Sequence, residues 1–138
     1  MINVKETKRE FLMFLLGKSP KKILDIGCGK GLMSRFFSKS GARMIGIDKR
    51  KIVEDFENFE FREADIRNTS FCKENNLIIA SLILHIFERD DALKMIEKMK
   101  KATSNLGYNL LICMSNEDDL AKENLTKLYP SLQELRKI

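Results

Sequence analysis

The stretch ILDIGCGKGLMSRFF, residues 23–37, decides the fold. Residues 22–26 (KILDI) are an apolar run bounded by Pro20 and Gly27, which reads as a buried strand. Gly27, Gly29 and Gly31 follow at alternate positions, and Leu32, Met33, Phe36 and Phe37 then fall on a helical stripe over residues 32–40, closed by Gly41. A strand that runs into such a turn and then a helix has a physical use for each glycine. One permits the tight turn, one lets a ligand approach bare backbone, and one lets helix and strand pack closely.

Outward from this unit, strands and helices alternate. Residues 4–16 (VKETKREFLMFLL) place Phe11, Leu12, Leu15 and Leu16 as an amphipathic helix should, and Gly17 with Pro20 stops it. Residues 43–48 (RMIGID), 59–64 (FEFREA) and 77–84 (LIIASLIL) read as strands two to four. Asp90 and Asp91 charge the start of a helix that runs to Ser104, residues 105–107 turn the chain, and residues 109–114 (NLLICM) form strand five. A last helix over residues 118–128 ends before Pro130. Strands that are apolar throughout, separated by helices, predict an α/β fold: a three-layer sandwich around a mainly parallel sheet, with helices on both faces. Only ten residues separate Asp48 from Phe59, room for at most two or three helical turns, so the version is compact. A chain of 138 residues is the size of a single domain, spanning 1–138.

Composition narrows the classes. At 43% hydrophobic and 33% charged residues, the chain has ample material for a packed interior. No stretch approaches the roughly 18 to 20 apolar residues of a membrane span. The N-terminus, with Lys5, Glu6, Lys8, Arg9 and Glu10, lacks the pattern of a cleavable signal, so the expectation is a soluble cytoplasmic protein with no membrane partner. Cys28, Cys72 and Cys113 are widely spaced and His85 is the one histidine, which supports neither a disulfide framework nor a metal site. The net charge is +5, and six Lys or Arg against two Glu in the first 22 residues form a face suited to phosphate-bearing partners. No basic and aromatic residues interleave there, so the plainer reading is the solvated side of a helix.

The glycine spacing separates two kinds of ligand. Dinucleotide binders use Gly-x-Gly-x-x-Gly, and the third position of that pattern is Leu32 here. Preceded by Asp25, the segment reads Asp-x-Gly-x-Gly-x-Gly, and it resembles the first motif of class I S-adenosylmethionine-dependent methyltransferases. Asp48 ends strand two, 21 residues beyond Gly27, the separation at which a carboxylate accepts hydrogen bonds from ribose hydroxyls. The resemblance implies S-adenosylmethionine as cofactor, S-adenosylhomocysteine as product and strand order 3-2-1-4-5. It makes Asp48 the ribose acid and Asp65, in FREADIRN, the acceptor for the adenine amino group, with Ile66 flanking the ring. The cofactor-binding set it carries over is Asp25, Gly27, Cys28, Gly29, Gly31, Asp48, Lys49, Asp65, Ile66 and Ser81. On the residues alone, each acid is equally a surface turn or a helix cap. The sequence departs from the family at Asn76, where an Asp is usual at the start of strand four, and at Gly107, where a glycine pair precedes strand five. The first departure is expected to alter how the methionine end or the substrate is held.

Methyl transfer from a sulfonium is an in-line displacement whose leaving group is already activated, so holding nucleophile and methyl carbon in line is the main contribution. Where the nucleophile carries a proton, a base near neutral pKa helps, and His85, after strand four, is the candidate; the alternative is a structural histidine. The segment Ala80-Ser81-Leu82-Ile83 lacks the Asn/Asp-Pro-Pro-Tyr/Phe motif of enzymes that methylate exocyclic amino groups of nucleic acid, and a Pro-Cys nucleophile is absent. By elimination the resemblance is greatest to the small-molecule branch, including tellurite-resistance-like methyltransferases. The competing readings are an RNA or protein methyltransferase and a non-catalytic S-adenosylmethionine-binding or partner domain. Methyltransferases of this class usually continue into a sixth and an antiparallel seventh strand, which are incomplete or absent here: residues 129–138 have room only to begin the sixth. Strand five is then left with an open edge, to be covered by the C-terminal helix or, as we expect, paired in a homodimer, unless the sequence is a shortened version of a longer ancestor; the substrate site is left open at the same place, for a partner protein to complete.

Overall fold

Side chains alternate across a strand, and in this chain both sides of each central strand are apolar. The consequence is a sheet whose three central strands are buried on both faces, with edge strands more exposed. The structure, a computed structural model, describes residues 4–113, with side chains from residue 8 onward. Its elements are α1 (Val4–Gly17), β1 (Lys22–Ile26), α2 (Leu32–Phe37) with a 3-10 turn Ser38–Ser40, β2 (Arg43–Asp48), β3 (Phe59–Glu63), β4 (Asn75–Ser81), a second 3-10 turn Leu84–Ile86, α3 (Arg89–Ala102) and β5 (Thr103–Ile112). The sheet runs β3-β2-β1-β4-β5, and each neighbouring pair is parallel. Fold class and strand order agree with the sequence reading.

The pleat sorts the core into two. Ile23, Met44, Leu77, Ile79 and Leu110 point to one face and pack with Leu12 and Leu15 of α1 and Phe37 of α2. Leu24, Ile26, Ile45, Ile47, Ile78 and Ala80 point to the other and pack with Ala92, Met95, Ile96, Met99 and Ala102 of α3. Each fully buried aliphatic side chain contributes about 1.5–3 kcal/mol. α3 owes its place to the helical spacing of those five residues, and Asp90 and Asp91 lie in its first turn, where the helix dipole favours them.

Four details differ from the sequence reading. Residues 49–58 carry no helix, and residues 64–74 are turns and loop. β4 begins two residues earlier and ends at Ser81, three residues short of Leu84, because Leu82 adopts a left-handed conformation (φ 54°) with its N–H on the Ile112 carbonyl at 2.7 Å. Ile83 and Leu84 are buried all the same, from a turn rather than from a strand. The expected turn at residues 105–107 lies within β5 as an excursion, since pairing passes from Asn75–Thr103 straight to Leu77–Tyr108. Gly107 is needed there: a Cβ would lie 2.7 Å from Thr103 Cγ2 and 2.9 Å from the Asn75 carbonyl oxygen. α3 stops at Ala102, two residues before Ser104, and Thr103 is already extended. Met114, the expected helix over residues 118–128 and residues 129–138 lie outside the described residues. Among the described residues β5 is bonded on one side only, to β4. No described helix is long and apolar enough to cross a membrane.

Candidate functional site

The chain leaves β1 at Ile26 and takes left-handed φ angles at alternate residues: 66° at Gly27, 51° at Gly29 and 78° at Gly31. Side-chain-bearing residues lose about 1–2 kcal/mol at each such position, so the spacing of the glycines follows from the shape of the turn. Close packing adds to this at two of them. A Cβ at Gly27 would lie 2.6 Å from Ile83 Cγ2, and one at Gly31 2.7 Å from Val53 Cγ2. At Gly29 a Cβ would meet nothing within 4 Å. Gly29 is therefore the bare backbone that a ligand can approach, while its neighbours close the loop onto the fold.

The loop is tied to the end of β2. The N–H groups of Gly27 and Cys28 both donate to the Ile47 carbonyl, at 2.7 and 3.1 Å. Asp48, the next residue, accepts the Gly29 N–H on Oδ2 at 2.8 Å and the Lys49 N–H on Oδ1 at 2.7 Å. Each carboxylate oxygen retains lone-pair capacity for a further donor.

At the carboxyl ends of β1, β2 and β3 a cleft of about 180 Å³ is lined by Gly27, Asp48, Lys49, Ala64, Asp65, Ile66, Ile83, Ile86 and Phe87. Gly27, Asp48, Lys49, Asp65 and Ile66 of the sequence-derived set thus share one space. Its walls combine apolar side chains with two carboxylates, an arrangement suited to a flat ring joined to a hydroxyl-bearing sugar. Asp65 has partners of its own. Arg67 donates from Nη2 to Oδ2 at 2.6 Å and from Nε to both oxygens at 3.1 and 3.2 Å, and Lys49 Nζ lies 3.6 Å from Oδ2. The Arg67 hydrogen bonds hold this carboxyl well below the usual carboxylate range.

The other sequence-derived residues stand outside the lining. Asp25 lies buried under the loop with the Ser34 hydroxyl donating to its Oδ2 at 2.7 Å. Burial, and secondarily the Asp48 charge, push its carboxyl up to about 7 against the lowering effect of Ser34. Cys28 is buried beside Gly46, where a Cβ would lie 2.9 Å from its Sγ, and burial with the Asp25 and Asp48 charges pushes the thiol up to about 12. That makes it a packing residue rather than a nucleophile. Ser81 ends β4 half-buried beside Ile112, and His85 sits half-buried in the 3-10 turn after Leu82. Neither lines the cleft.

Asn76 corrects one expectation. It occupies the amino end of β4, where its Oδ1 accepts the N–H groups of Lys21 and Lys22 at 3.1 and 2.9 Å, so the departure bears on seating β1 and not on the cleft at the other end of the strands. A larger recess of about 600 Å³ opens beside it, lined by residues such as Lys18, Lys21, Asn76 and Tyr108. In open parallel sheets ligands gather at the carboxyl ends of strands, and no glycine of the loop lines this recess, so the smaller cleft is the candidate site. Ala64, Ile83, Ile86 and Phe87 were not legible as lining residues; the last three depend on the turn at Leu82, which no residue type announces.

Comparison with known proteins bears on the same residues. A family profile described as tellurite resistance protein TehB matches residues 3–128. The TehB protein of Haemophilus influenzae, named a probable S-adenosyl-L-methionine-dependent methyltransferase, is 27% identical over 111 residues, covering 74% of this chain and 39% of that protein. Protein 235L of Invertebrate iridescent virus 6, whose name also invokes a methyltransferase, is 30% identical over 136 residues, covering 89% of this chain and 51% of its own. The chain thus spans about half or less of the length of these relatives. Among solved structures, the N-methyltransferase NodS of Bradyrhizobium japonicum, in complex with S-adenosyl-l-homocysteine, superposes with a TM-score of 0.72 at 18% identity, covering 97% of this chain and 73% of that one.

Proposed function

The chain belongs to the TehB tellurite resistance protein family, and from that premise we propose that its cleft binds S-adenosylmethionine and presents the methyl group to a small-molecule acceptor. The observation that carries the reading is the convergence of Gly27, Asp48 and Asp65 on one cleft at the carboxyl ends of the strands. The residues present fit the cofactor part by part. Asp48 offers acceptors to the ribose hydroxyls beside the two N–H groups it already holds. Ile66, Ile83 and Phe87 give an apolar bed for the adenine ring, and Asp65, in the same lining, supplies a carboxylate to accept from its amino group. The open backbone at Gly29 leaves room for the amino-acid tail.

When bound, the cofactor supplies a methyl group on a positively charged sulfur, ready for in-line displacement. The chain's own residues then hold and orient. Gly27 and Cys28, fixed by the Ile47 carbonyl, keep the loop in place, so the reacting geometry is set by backbone. No general base is required for an acceptor with a free lone pair; where the acceptor carries a proton, His85, which stands outside the cleft lining but on the same turn as the lining residue Ile86, is the residue we assign to receive it. A further structural neighbour, the plantazolicin methyltransferase BpumL in complex with a monoazolic desmethylPZN analog, with a TM-score of 0.65 at 25% identity over 92% of this chain and 55% of that one, supports an organic acceptor of that kind for this chain too.

Titration calorimetry with S-adenosylhomocysteine tests the binding, and a turnover screen across metabolite and RNA pools, read as S-adenosylhomocysteine formed, tests the transfer. No heat at millimolar ligand overturns the reading. Turnover on RNA, with retention falling steeply as salt rises, would move the acceptor to nucleic acid. Tight binding with no turnover on any pool would leave a binding domain. The side of β5 that is unbonded among the described residues is proposed as a homodimer contact, tested by sedimentation.

A further inference from the structure

Residues 64–74, which join β3 to β4, contain no helix, yet they carry the far wall of the cleft in Ala64, Asp65 and Ile66. Something must fix their path. Part of it is local: the Asn68 and Thr69 N–H groups return to the Asp65 carbonyl at 3.0 and 3.1 Å. The rest comes from α3. Lys98 reaches across from the middle of that helix and donates from Nζ to the Ile66 carbonyl at 2.8 Å and the Thr69 carbonyl at 2.6 Å. Its ammonium also lies 4.2 Å from the centre of the Phe71 ring.

We propose that Lys98 is a positioning residue for adenine recognition, bracing the turn at residues 65–69 so that the Asp65 carboxylate and the Ile66 side chain meet the base. The inference rests on the cofactor reading given above and adds to it a residue that does not line the cleft. An ammonium has three donors and a compact charge, so it can hold two carbonyls and still face an aromatic ring. The site is costly for a cation: burial draws the Lys98 pKa down, opposed by the Asp65 charge. A lysine kept half-buried on a helix that already seals its core with Met95, Ile96, Met99 and Ala102 is spent on the loop rather than on the core. The same brace seats Ile66, which is buried in the α3 face of the core, so the wall of the cleft is tied to the helix both by the Lys98 hydrogen bonds and by packing.

The test is a ratio of affinities, measured by calorimetry, for S-adenosylhomocysteine and for S-inosylhomocysteine, its analogue with an oxygen in place of the 6-amino group. Lys98→Met keeps the apolar stem and removes the donors. It is expected to lower the adenine-over-hypoxanthine preference about tenfold, the equivalent of one well-made hydrogen bond. Lys98→Arg should restore the preference, because its fork also reaches two carbonyls, and Lys98→Gln, with one amide to donate, should fall between. Lys94→Met, at an exposed position of the same helix, should leave the ratio unchanged. A merely structural role would lower the melting temperature and both affinities together with the ratio intact. That outcome overturns the proposal, and if Lys98→Met does not fold, a wild-type ratio in Lys98→Gln overturns it equally. A wild-type protein that binds neither ligand overturns the cofactor reading itself, and a wild-type protein that binds both alike overturns adenine recognition by Asp65.

Discussion

Replacing Asp25 by Asn isolates the most unusual electrostatic feature of the loop. The Asp25 carboxyl lies buried beneath the glycines, and a value of about 7 against an ordinary 3.8 disfavours its ionised form in the folded state by about 4 kcal/mol. The sign follows from proton counting. Below 3.8 both states are protonated and nothing is lost. Between 3.8 and 7 the unfolded chain releases the proton while the folded chain keeps it, so stability falls as pH rises, and above 7 the loss is complete. Asn cannot ionise, and its amide oxygen can still accept the Ser34 hydroxyl. Its NH2 group brings a cost that is the same at every pH. The stability of Asp25→Asn relative to wild type should therefore rise by about 4 kcal/mol between pH 4 and pH 8. Urea unfolding followed by circular dichroism at both pH values reads the difference directly, and other carboxylates cancel because both proteins share them. Parallel pH profiles for the two proteins would refute the reasoning and return Asp25 to an ordinary carboxylate.

Three further substitutions probe the site. Asp48→Ala removes the acceptor for the Gly29 and Lys49 N–H groups, which is also the acceptor proposed for the ribose, and should weaken S-adenosylhomocysteine binding by about 1–3 kcal/mol in calorimetry; an unchanged affinity would assign Asp48 to structure. Gly31→Ala should destabilise the protein by about 1–2 kcal/mol from the left-handed backbone alone, with Val53 displaced in addition, and a denaturation midpoint equal to wild type would contradict the loop geometry. Arg67→Ala frees the carboxylate of Asp65 from its guanidinium partner and should tighten S-adenosylhomocysteine by about threefold, the scale of one exposed ion pair; weaker binding would mean that Arg67 helps to hold the ligand.

The legible parts of this molecule were those dictated locally. β1, the glycine turn and α2 follow from a contiguous pattern in which each residue type has one use, and Asp48 was found by its distance from Gly27 along the chain. Parallel pairing was readable because strands buried on both faces are apolar throughout. The end of β4 was not, since the apolar run continues through Leu82, Ile83 and Leu84 while the backbone turns, and a leucine at positive φ has no signature. With that turn went the contribution of Ile86 and Phe87 to the cleft. Arg67 on Asp65 and Lys98 on the Ile66 carbonyl were invisible for opposite reasons. The first is too short-range to distinguish from any surface pair, and the second joins residues 32 positions apart.

The hydrogen bonds from Gly27, Cys28 and Gly29 to Ile47 and Asp48 mean that the glycine turn is already cast before any ligand arrives. Ordering a loop residue costs about 1–2 kcal/mol of conformational entropy, and here that cost is met during folding rather than at the moment of capture. A guest entering such a mould gives up its own freedom but asks little of its host, so recognition at this corner resembles a key meeting a cut lock more than a hand closing on a coin.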